Sequence, residues 1–418
     1  MQEAALSAAK KGRDVVLHAP TGSGKTLAFL LPVFLGLDAT AKGVQALIMV
    51  PSRELALQIE QVFKQMGTGF KINCCYGGHA VKTERNNFEQ PPAVLVGTPG
   101  RIAYHLRHEN FDESTVTTLV LDEFDKALEF GFQEDMSYIV RKLLSLRQRI
   151  LTSATRMEEI PDFAGLKNPI EVDFTADQRS APDLSLIKVR AKAEDKLDIL
   201  FKLICKIGDK TTLIFCNHRE TVDRISDLLI DKDLAHDIFH GGMEQDERER
   251  ALLKFRNGSI RILITTDLAA RGLDIPEIEC IIHYQLPYTA DAFVHRNGRT
   301  ARMNAAGTAY LMLTDDEKYP FLSDDMPVEA LQGKYKLPTD SPWQTLYVAA
   351  GKKDKVNKID IVGLLLKKAG LEKEDVGLIE VKDQSSYVAV KRKKVHSVLA
   401  ALSNEKLKNK KVKIEVAL

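Results

Sequence analysis

The chain has 418 residues, of which 44% are hydrophobic and 28% are charged, so it is long enough to bury two or three ordinary cores. The longest apolar stretch, residues 27–37, is interrupted by Pro32 and is too short to cross a bilayer, and the first residues lack a signal-peptide pattern. This composition excludes a membrane-spanning protein and favours a soluble multidomain protein.

The charge is unevenly distributed. The chain has 59 Lys and Arg against 58 Asp and Glu, which leaves a formal charge of +1. Residues 341–418 contain 17 basic and 9 acidic side chains, so this segment carries +8 and the remaining residues carry −7. A basic tail on a mildly acidic body indicates an anionic partner, with a solvated lysine-rich face as the alternative.

The cysteines and histidines give no sign of a disulfide framework or a metal cluster. The five cysteines include no CxxC pair, which predicts reduced core residues of a cytosolic protein. The ten histidines form no HExxH or Cys/His ligand spacing. We therefore expect no metal site built from cysteine or histidine ligands.

In chain order, the first part alternates short apolar runs with helical patterns, and the runs show hardly any polar alternation. This pattern predicts a parallel sheet covered on both faces, that is, a doubly wound α/β domain over residues 1–176. The predicted strands are 15–19, 46–50, 93–97, 119–122 and 150–153, and the predicted helices are 25–35, 54–66 and 101–109.

After a polar linker at residues 175–182 the same pattern restarts. It predicts a second α/β domain over residues 183–320. The predicted helices are 195–207, 220–230 and 245–255, and the predicted strands are 212–216, 238–240, 260–265, 281–284 and 309–313.

Residues 315–342 form the next boundary, and a short third domain over 343–418 follows. Its order is β-α-β-β-α-β, the ferredoxin-like α+β plan of RNA-recognition modules (RRM-like). The predicted strands are 346–349, 377–381, 387–390 and 411–416, and the predicted helices are 361–369 and 395–402.

The run APTGSGKT at residues 19–26 follows a strand and opens a helix, which is the setting of a Walker A motif. Backbone N–H groups of the turn and the helix N-terminus bind phosphate oxygens, Lys25 reaches the β- and γ-phosphates, and Thr26 ligates Mg²⁺. Ala19 replaces the usual first glycine. The pattern predicts a nucleoside triphosphate site.

Two further motifs contain charged residues of the kinds that act in phosphoryl transfer. Asp122 and Glu123 end an apolar strand, where one carboxylate can hold the Mg²⁺ shell and the other can orient water; alternatively they cap a helix N-terminus. HRNGRTAR at residues 295–302 supplies arginines far downstream. This separation in sequence predicts two lobes that close on one nucleotide.

The order of motifs resembles the DEAD-box RNA helicases over residues 2 to about 315. This resemblance implies that the two α/β domains are RecA-like. DEFD at 122–125 stands where that family has DEAD. The other matching motifs are PSRELA at 51–56, GG at 77–78, TPGR at 98–101, SAT at 153–155, LIFCN at 213–217, HG at 240–241 with Gln245 and Arg248, TTDLAARGLD at 265–274, and HRNGRTAR at 295–302.

The resemblance implies ATP and Mg²⁺ as cofactors and assigns roles to individual residues. Arg299 and Arg302 would be arginine fingers, worth roughly three to five orders of magnitude in related NTPases. Ser153 and Thr155 would couple hydrolysis to the RNA site, with His295 contacting that network, and Asp274 would meet the ribose. The implied ATP contacts are Gln2, Thr21, Gly22, Ser23, Gly24, Lys25 and Thr26, with Asp122 and Glu123 acting on Mg²⁺ and water.

The resemblance also implies RNA contacts in both lobes. The residues are Arg53, Gly78, Thr98, Arg101, Asn217, Gly241, Thr265 and Arg271. They are mostly small, hydroxyl or basic groups, which suit a phosphate backbone and so bind without reading sequence. The resemblance further implies that ATP and RNA would each favour the closed pair of lobes, so each should tighten the binding of the other by the same factor.

The tail from about Trp343 resembles the RNA-binding domain of the DbpA-type subfamily, which recognises a hairpin of large-subunit ribosomal RNA during assembly. Its third strand lacks the two or three aromatics of an ordinary RNA-recognition module, and we expect Tyr347 and Tyr387 to be half-buried strand residues. RNA binding is then expected at the basic run Lys391, Arg392, Lys393 and Lys394 and at the lysines of residues 406–413, unless these side chains are only solvated helix and loop ends.

The sequence departs from the family at its start and at two other positions. Gln2 lacks the preceding segment whose aromatic stacks on adenine, so either the chain is truncated or its adenine pocket is weakened. In both cases we expect lower ATP affinity than in an extended version. Phe124 and Gln285 replace a usual alanine and a common aspartate without removing a catalytic charge.

The sequence as a whole indicates an ATP-dependent RNA helicase that unwinds RNA duplexes locally, acting on ribosomal RNA in ribosome biogenesis. A general helicase of messenger turnover or cold response, and an RNA clamp or chaperone without hydrolysis, remain the alternatives. We expect a cytoplasmic monomer with no membrane partner.

Overall fold

A computed structural model describes residues 1–20, 23–78, 81–157, 159–175, 184–270, 278–300, 307–408 and 410–417. These residues divide into two compact units, one on each side of the segment 176–183. The predicted boundary between the first two domains falls in that undescribed segment, so the domain limits stay predictions.

The first unit is built on one seven-stranded parallel sheet with the strand order β3-β4-β2-β5-β6-β1-β7. Its strands are β1 (Val15–His18), β2 (Ala46–Met49), β3 (Ile72–Cys75), β4 (Val94–Gly97), β5 (Thr118–Leu121), β6 (Gln148–Ser153) and β7 (Ile170–Asp173). Its helices are α1 (Gln2–Ala9), α2 (Lys25–Leu35), α3 (Arg53–Gln65), α4 (Val81–Phe88), α5 (Pro99–Arg107), α6 (Phe124–Glu129) and α7 (Gln133–Lys142).

The sheet separates two apolar cores. Successive residues of the central strands enter opposite cores, as Leu47 and Ile48 of β2 do, and both side chains are fully buried. Burial on both faces removes the alternation of polar and apolar residues, which is why the central strands were recognisable as continuous apolar runs. The edge strands β3 and β7 were missed because they are only half-buried and mix polar with apolar residues.

The second unit begins with a six-stranded parallel sheet of order β10-β11-β9-β12-β13-β8. Strand β8 was missed by the sequence prediction and pairs along its whole length with β13. The strands are β8 (Leu184–Arg190), β9 (Thr212–Phe215), β10 (Asp237–Phe239), β11 (Ile262–Thr265), β12 (Cys280–His283) and β13 (Gly307–Leu313), and the helices are α8 (Lys196–Ile207), α9 (Arg219–Asp231), α10 (Gln245–Arg256) and α11 (Ala290–Asn297).

The same unit ends in an antiparallel sheet of order β15-β16-β14-β19, with two helices over one face. The predicted fold class of two parallel-sheet domains and a ferredoxin-like domain is confirmed. The elements are β14 (Trp343–Val348), α12 (Lys358–Lys367), β15 (Val376–Val381), β16 (Ser386–Lys391), α13 (Val395–Leu402), the hairpin strands β17 (Lys406–Leu407) and β18 (Lys410–Lys411), and β19 (Ile414–Val416).

The last predicted strand, 411–416, was placed too early. Lys411 pairs with Lys406 in the small hairpin, and the sheet strand begins only at Ile414. Residues 406–413 are rich in lysine, so the pattern of apolar residues does not distinguish the hairpin from the strand that follows it.

The second face of the antiparallel sheet packs against the preceding α/β lobe. Thr345 of β14 is 1% exposed, and its hydroxyl accepts a 2.8 Å hydrogen bond from Nδ2 of Asn257 and donates to Oγ of Ser259 at 2.8 Å. Lys382 pairs with Glu249 of α10. The part of the sheet around Thr345 is therefore covered by protein.

All five cysteines lie in described segments and none is paired; four are buried and Cys74 is half-buried. Across the segments with assigned structure, none of the helices combines the length and the apolar character needed to traverse a membrane.

Candidate nucleotide and RNA sites

The Walker loop joins β1 to α2, and the first residue of α2 is Lys25. Gly24 has a left-handed φ of 91° and forms the N-cap of this helix. The Lys25 side chain is 8% exposed, and its Nζ donates to the carbonyl oxygen of Ala19 at 2.7 Å. The lysine therefore spans the loop from end to end. Thr21 and Gly22 lie outside the described residues.

Gln2 contacts this loop from α1. Its Nε2 donates to the carbonyl oxygen of Gly24 at 3.4 Å, and a Cβ added at Gly24 would lie 2.4 Å from that nitrogen. The loop and Gln2 thus pack with no room for a side chain at Gly24. Ser23 donates to the carbonyl of Pro20 at 2.7 Å, which closes the turn.

The acidic pair lies at the end of β5, next to β6 in the sheet. Oδ1 of Asp122 accepts hydrogen bonds from the hydroxyl of Thr152 and from the backbone N–H of Glu123, the latter at 3.1 Å. Burial raises the pKa of Asp122, while the Thr152 hydrogen bond and the positive charge of Lys25 oppose this rise. Lys25 and Asp122 therefore interact electrostatically.

Glu123 has an unusual backbone. Its φ of 48° lies in the left-handed region, which a residue with a Cβ adopts at some energetic cost. The residue is the N-cap of α6, as the alternative interpretation of the acids suggested, yet its side chain makes no capping hydrogen bond. The left-handed turn instead leaves the Glu123 carboxylate buried beside Asp122 at 5% exposure.

Ser153 and Thr155 form a tight turn after β6. Oγ of Ser153 donates to the carbonyl of Thr155 at 2.7 Å and accepts from its N–H at 3.3 Å. That carbonyl also lies 3.1 Å from Nδ1 of His18, the last residue of β1. The SAT segment is therefore tied to the strand that leads into the Walker loop.

The predicted RNA residues of the first unit lie at the carboxyl ends of β2, β3 and β4. Arg53 is the first residue of α3, and Gly78 has a φ of 90° that places it against Arg53: a Cβ there would be 2.6 Å from Nη1. Arg101 donates from Nε to the carbonyl of Tyr76 at 3.1 Å. Thr98 is the N-cap of α5. The four residues therefore form one contiguous surface region.

In the second unit, Asn217 sits in a network centred on Arg296. Arg296 is fully buried and donates to Oδ1 of Asn217 at 2.8 Å, to the carbonyl of Gln285 and to Asp267, both at 2.6 Å. The N–H of Asn217 donates to Oε1 of Gln285 at 2.9 Å. Gln285, the departure noted in the sequence, thus supports Asn217 directly.

Of the other predicted site residues in the second unit, some lie in the described segments and some do not. The buried Thr265 donates its hydroxyl to the carbonyl of Phe239 at 2.7 Å, and Gly241 is exposed. His295 lies on α11 and Arg299 follows it, and both are buried at 2% and 1% exposure. Arg271, Asp274 and Arg302 lie outside the described residues.

The basic run of the third domain is held by internal contacts at its start. Lys391 pairs with Asp375 at 3.3 Å, and Nε of Arg392 donates to the carbonyl of Ser341 at 2.7 Å. Lys393 is exposed and Lys394 is partly exposed. Tyr347 and Tyr387 are half-buried, as expected, with their rings edge to face at 5.5 Å.

Sequence reasoning missed several supporting residues: Thr152, His18, Arg296, Asp267 and Glu84. Thr152 and Arg296 adjoin recognised motif residues, so their position next to SAT and inside HRNGRTAR was an available signal. His18 and Glu84 carry no local signal because their partners are distant in sequence.

Three family matches cover most of the chain. The DEAD/DEAH box helicase family matches residues 1–163, the helicase conserved C-terminal domain matches 195–304, and the DbpA RNA binding domain matches 345–416. The ATP-dependent RNA helicase DbpA of Escherichia coli (strain K12) is 31% identical over 100% of this chain and 93% of its own length. The chain belongs to the DEAD-box ATP-dependent RNA helicases.

Other relatives agree with this DEAD-box assignment. The ATP-dependent RNA helicase DbpA of Bacillus subtilis (strain 168) is 30% identical and matches 100% of the chain and 94% of its own. S. cerevisiae Dbp5 bound to RNA and ADP BeF3 has a TM-score of 0.70 at 26% identity and covers 79% of this chain and 89% of its own. The protein is a DbpA-type DEAD-box helicase, an RNA-dependent ATPase with an RNA-binding domain at its C-terminal end.

Proposed function

We propose that this helicase hydrolyses Mg²⁺-bound ATP with the residues described above. The donor set fits the nucleotide: the N-terminus of the 11-residue helix α2 follows a turn with a left-handed glycine, and Lys25 lies beside it. Thr26 and Asp122 would hold Mg²⁺, largely through water, which supplies charge neutralisation at the phosphates. The adenine and phosphates are assigned to Gln2, Thr21, Gly22, Ser23 and Gly24.

Glu123 orients the attacking water in this proposal. Its backbone is fixed by the left-handed φ of 48° and by the hydrogen bond from its N–H to Oδ1 of Asp122, and its side chain is buried next to that acid. Arg299 and Arg302 stabilise charge on the transferring phosphoryl group, and Asp274 binds the ribose. Ser153, Thr155 and His295 couple hydrolysis to RNA binding. The hydrogen-bonded set of Asp122, Glu123 and Thr152 is the observation that carries the hydrolytic part.

RNA is bound through its backbone. Arg53, Gly78, Thr98 and Arg101 act in the first unit, and Asn217, Gly241, Thr265 and Arg271 act in the second. Phosphate contacts of this type give affinity that depends on salt and not on sequence. Specificity then comes from the third domain, where we assign Lys391, Arg392, Lys393 and Lys394 to RNA.

We further propose that the target is a hairpin of large-subunit ribosomal RNA, bound during ribosome assembly by a cytoplasmic monomer. The match of residues 345–416 to the DbpA RNA binding domain supports this. The covered sheet face around Thr345 supports placing RNA on other surfaces of the domain, because Thr345 and Ala389 are 1% and 0% exposed.

The test is steady-state ATP hydrolysis by the wild type and Glu123→Gln without RNA, with poly(A), and with large-subunit ribosomal RNA. Selective stimulation by ribosomal RNA that is lost in Glu123→Gln supports the proposal. Equal stimulation by poly(A) identifies a general helicase. Tight RNA binding without hydrolysis in the wild type identifies a clamp. Glu113→Gln, an acid in a short helix outside the site, is the matched control.

A further inference from the structure

We propose that Glu84 is a positioning residue for RNA: its buried carboxylate fixes Arg101 and the loop 76–78 in the orientation that binds the phosphate backbone. The inference rests on the RNA contacts assigned to Arg101, Gly78 and Arg53 under the proposed function. Glu84 belongs to none of the motifs that define the family resemblance, and its only role visible in the structure is through its neighbours.

The Glu84 carboxylate joins three segments that are distant in sequence. It lies on α4 and is 2% exposed. Oε1 accepts the backbone N–H of Tyr76 at 3.2 Å. Oε2 accepts from Nε2 of His105 at 2.8 Å and lies 3.2 Å from Nε of Arg101. One side chain therefore connects α4, the end of β3 and α5.

Arg101 is held on its Nε side by two acceptors at once. Its Nε also donates to the carbonyl of Tyr76 at 3.1 Å. Because a guanidinium is planar and rigid, fixing Nε fixes the directions of both terminal nitrogens. The Arg101 side chain is 13% exposed, so a small rotation would change what its outer edge presents.

The same carboxylate reaches the glycine pair through the backbone. Tyr76 is followed by Gly77 and Gly78, which pack against the guanidinium of Arg53; a Cβ would lie 3.2 Å and 2.6 Å from its nitrogens. The Tyr76 N–H bond to Glu84 holds the start of this loop. Glu84 thereby sets the loop that Arg53 contacts as well as Arg101.

His105 prevents the carboxylate from moving. The ring is fully buried, and Asn110 donates from Nδ2 to Nδ1 at 2.9 Å, so the hydrogen-bond network assigns the proton to Nε2, which points at Glu84. The Phe88 ring packs edge-on against the imidazole at 5.1 Å. The enclosed His105 ring therefore donates from Nε2, and this N–H group is directed at the Glu84 carboxylate.

The direction in which RNA affinity changes when Glu84 is replaced distinguishes a positioning role from simple charge repulsion. A carboxylate near a phosphate-binding cation repels the RNA backbone, so removing its charge without moving anything tightens RNA binding. If Glu84 positions Arg101 and the loop, Glu84→Gln weakens RNA binding. An amide supplies only one acceptor oxygen, so its NH₂ group faces either the Tyr76 N–H or the Arg101 and His105 donors, and one of these contacts is lost.

The experiment compares the wild type, Glu84→Gln, Arg101→Ala and the double variant in RNA-stimulated ATP hydrolysis with poly(A). For Glu84→Gln we expect the RNA concentration for half-maximal stimulation to rise about tenfold or more, the effect of losing one hydrogen bond to a charged group. kcat at saturating RNA and KM for ATP should stay within twofold. An unchanged or lower half-saturating RNA concentration overturns the inference.

The double variant distinguishes the inference from the proposed RNA contacts. If Glu84 acts mainly through Arg101, Glu84→Gln adds less than twofold once Arg101 is alanine, whereas independent multiplication of the two effects overturns the inference that Glu84 positions Arg101. If Arg101→Ala alone leaves the RNA requirement unchanged, the assigned RNA contact is wrong, and this result is separate from the behaviour of Glu84.

Glu60→Gln is the matched control, since Glu60 lies in the same unit and pairs with the exposed Lys64 at 2.8 Å. Thermal unfolding of each variant checks that the fold is retained. If Glu84→Gln does not fold, Asn110→Ala takes its place, because it removes only the donor that orients His105. The same rise in RNA requirement is expected, and its failure to occur overturns the inference.

Discussion

The hydroxyl of Thr152 donates a hydrogen bond to Oδ1 of Asp122 across two adjacent parallel strands, and it also accepts the N–H of Glu123 at 3.3 Å. One threonine on β6 therefore orients the carboxylate of Asp122 and holds the backbone of Glu123 at the end of β5. Neither acid is close in sequence to Thr152, so this relationship depends on the register of the sheet.

Thr152→Val should lower kcat for ATP hydrolysis about ten- to hundredfold, because the loss of a hydrogen bond to a charged group is worth about 1.5–3 kcal/mol. The Kd for RNA should not change. Steady-state kinetics at saturating RNA measures the first quantity and fluorescence anisotropy the second. Thr118→Val, at the start of β5, is the control; an equal loss of kcat in both variants would contradict the orienting role.

The same variant should move the acid limb of the pH–rate profile. Burial raises the pKa of Asp122 and the Thr152 hydrogen bond lowers it, so removing the hydroxyl raises that pKa further. Asp122 must be ionised to hold Mg²⁺, and the acid limb of kcat should therefore shift to higher pH in Thr152→Val. A limb that stays in place would show that Asp122 does not govern it.

The stability of the second unit should depend on pH through His283. Burial, followed by the charge of Arg296, lowers the pKa of this histidine to about 3. The unfolded chain binds the proton near the ordinary pKa of 6.5, so the stabilisation is complete above that pH and is lost as the pH falls towards 3. Between pH 7 and pH 5 the loss should be about 2 kcal/mol.

Calorimetric unfolding of the wild type and His283→Gln at several pH values measures this dependence, and the difference between the two slopes isolates His283. His396→Gln, which changes an exposed histidine, should retain the wild-type slope. A His283→Gln slope equal to that of the wild type would contradict the assignment.

Thr345→Arg should separate the third domain from the α/β lobe before it. The substitution places a charge at a position that is 1% exposed and hydrogen-bonded to Asn257 and Ser259. Trp343, the only tryptophan, lies near Gly258 of that lobe, and a Cβ there would be 3.7 Å from its ring. We expect its emission to shift to the red and acrylamide quenching to increase.

The control for this substitution is Gln384→Arg, which adds the same charge to an exposed turn of the same domain. Its tryptophan emission should match that of the wild type. An unshifted spectrum in Thr345→Arg would show that the contact does not hold the domain in solution.

Gly97→Ala should destabilise the first unit by about 3 kcal/mol or more, since a Cβ would lie 2.2 Å from the carbonyl oxygen of Cys75 on the neighbouring strand and the backbone would have to shift. Gly363→Ala should have the opposite effect. A Cβ at Gly363 meets nothing within 4 Å, and alanine favours helix α12 by about 1 kcal/mol. Thermal unfolding of both variants measures whether Gly97→Ala lowers the stability and Gly363→Ala raises it.

The central strands and most helices were predictable because both depend on local pattern. β2 and β9 are fully buried apolar runs, and α10 has acidic residues in its first turn and basic ones in its last. β8, β7 and the hairpin of β17 and β18 were not predicted, because their pairing partners are distant or their residues are largely polar.

The candidate site residues also fall into two groups: those that a local motif indicates and those whose role only the fold reveals. Lys25, Asp122, Glu123 and Ser153 stand in contiguous motifs, so the sequence could propose them as site residues without knowledge of their neighbours. Gln285 was noticed only as a departure, and its hydrogen bond to Asn217 appears when β12 and β9 pair side by side.

By itself, the sequence determined the order of the domains, the nucleotide chemistry and the family, because each of these is carried by short motifs whose spacing is preserved along the chain. Only the tertiary structure decided that Thr152 holds the two acids, that Glu84 joins Tyr76, His105 and Arg101, and that Thr345 is covered. The Thr152 and Thr345 contacts join residues 30 and 88 positions apart in sequence, and the Glu84 contact joins helix α4 to helix α5. Such contacts depend on the register of the sheets and on packing, and no local sequence pattern specifies either.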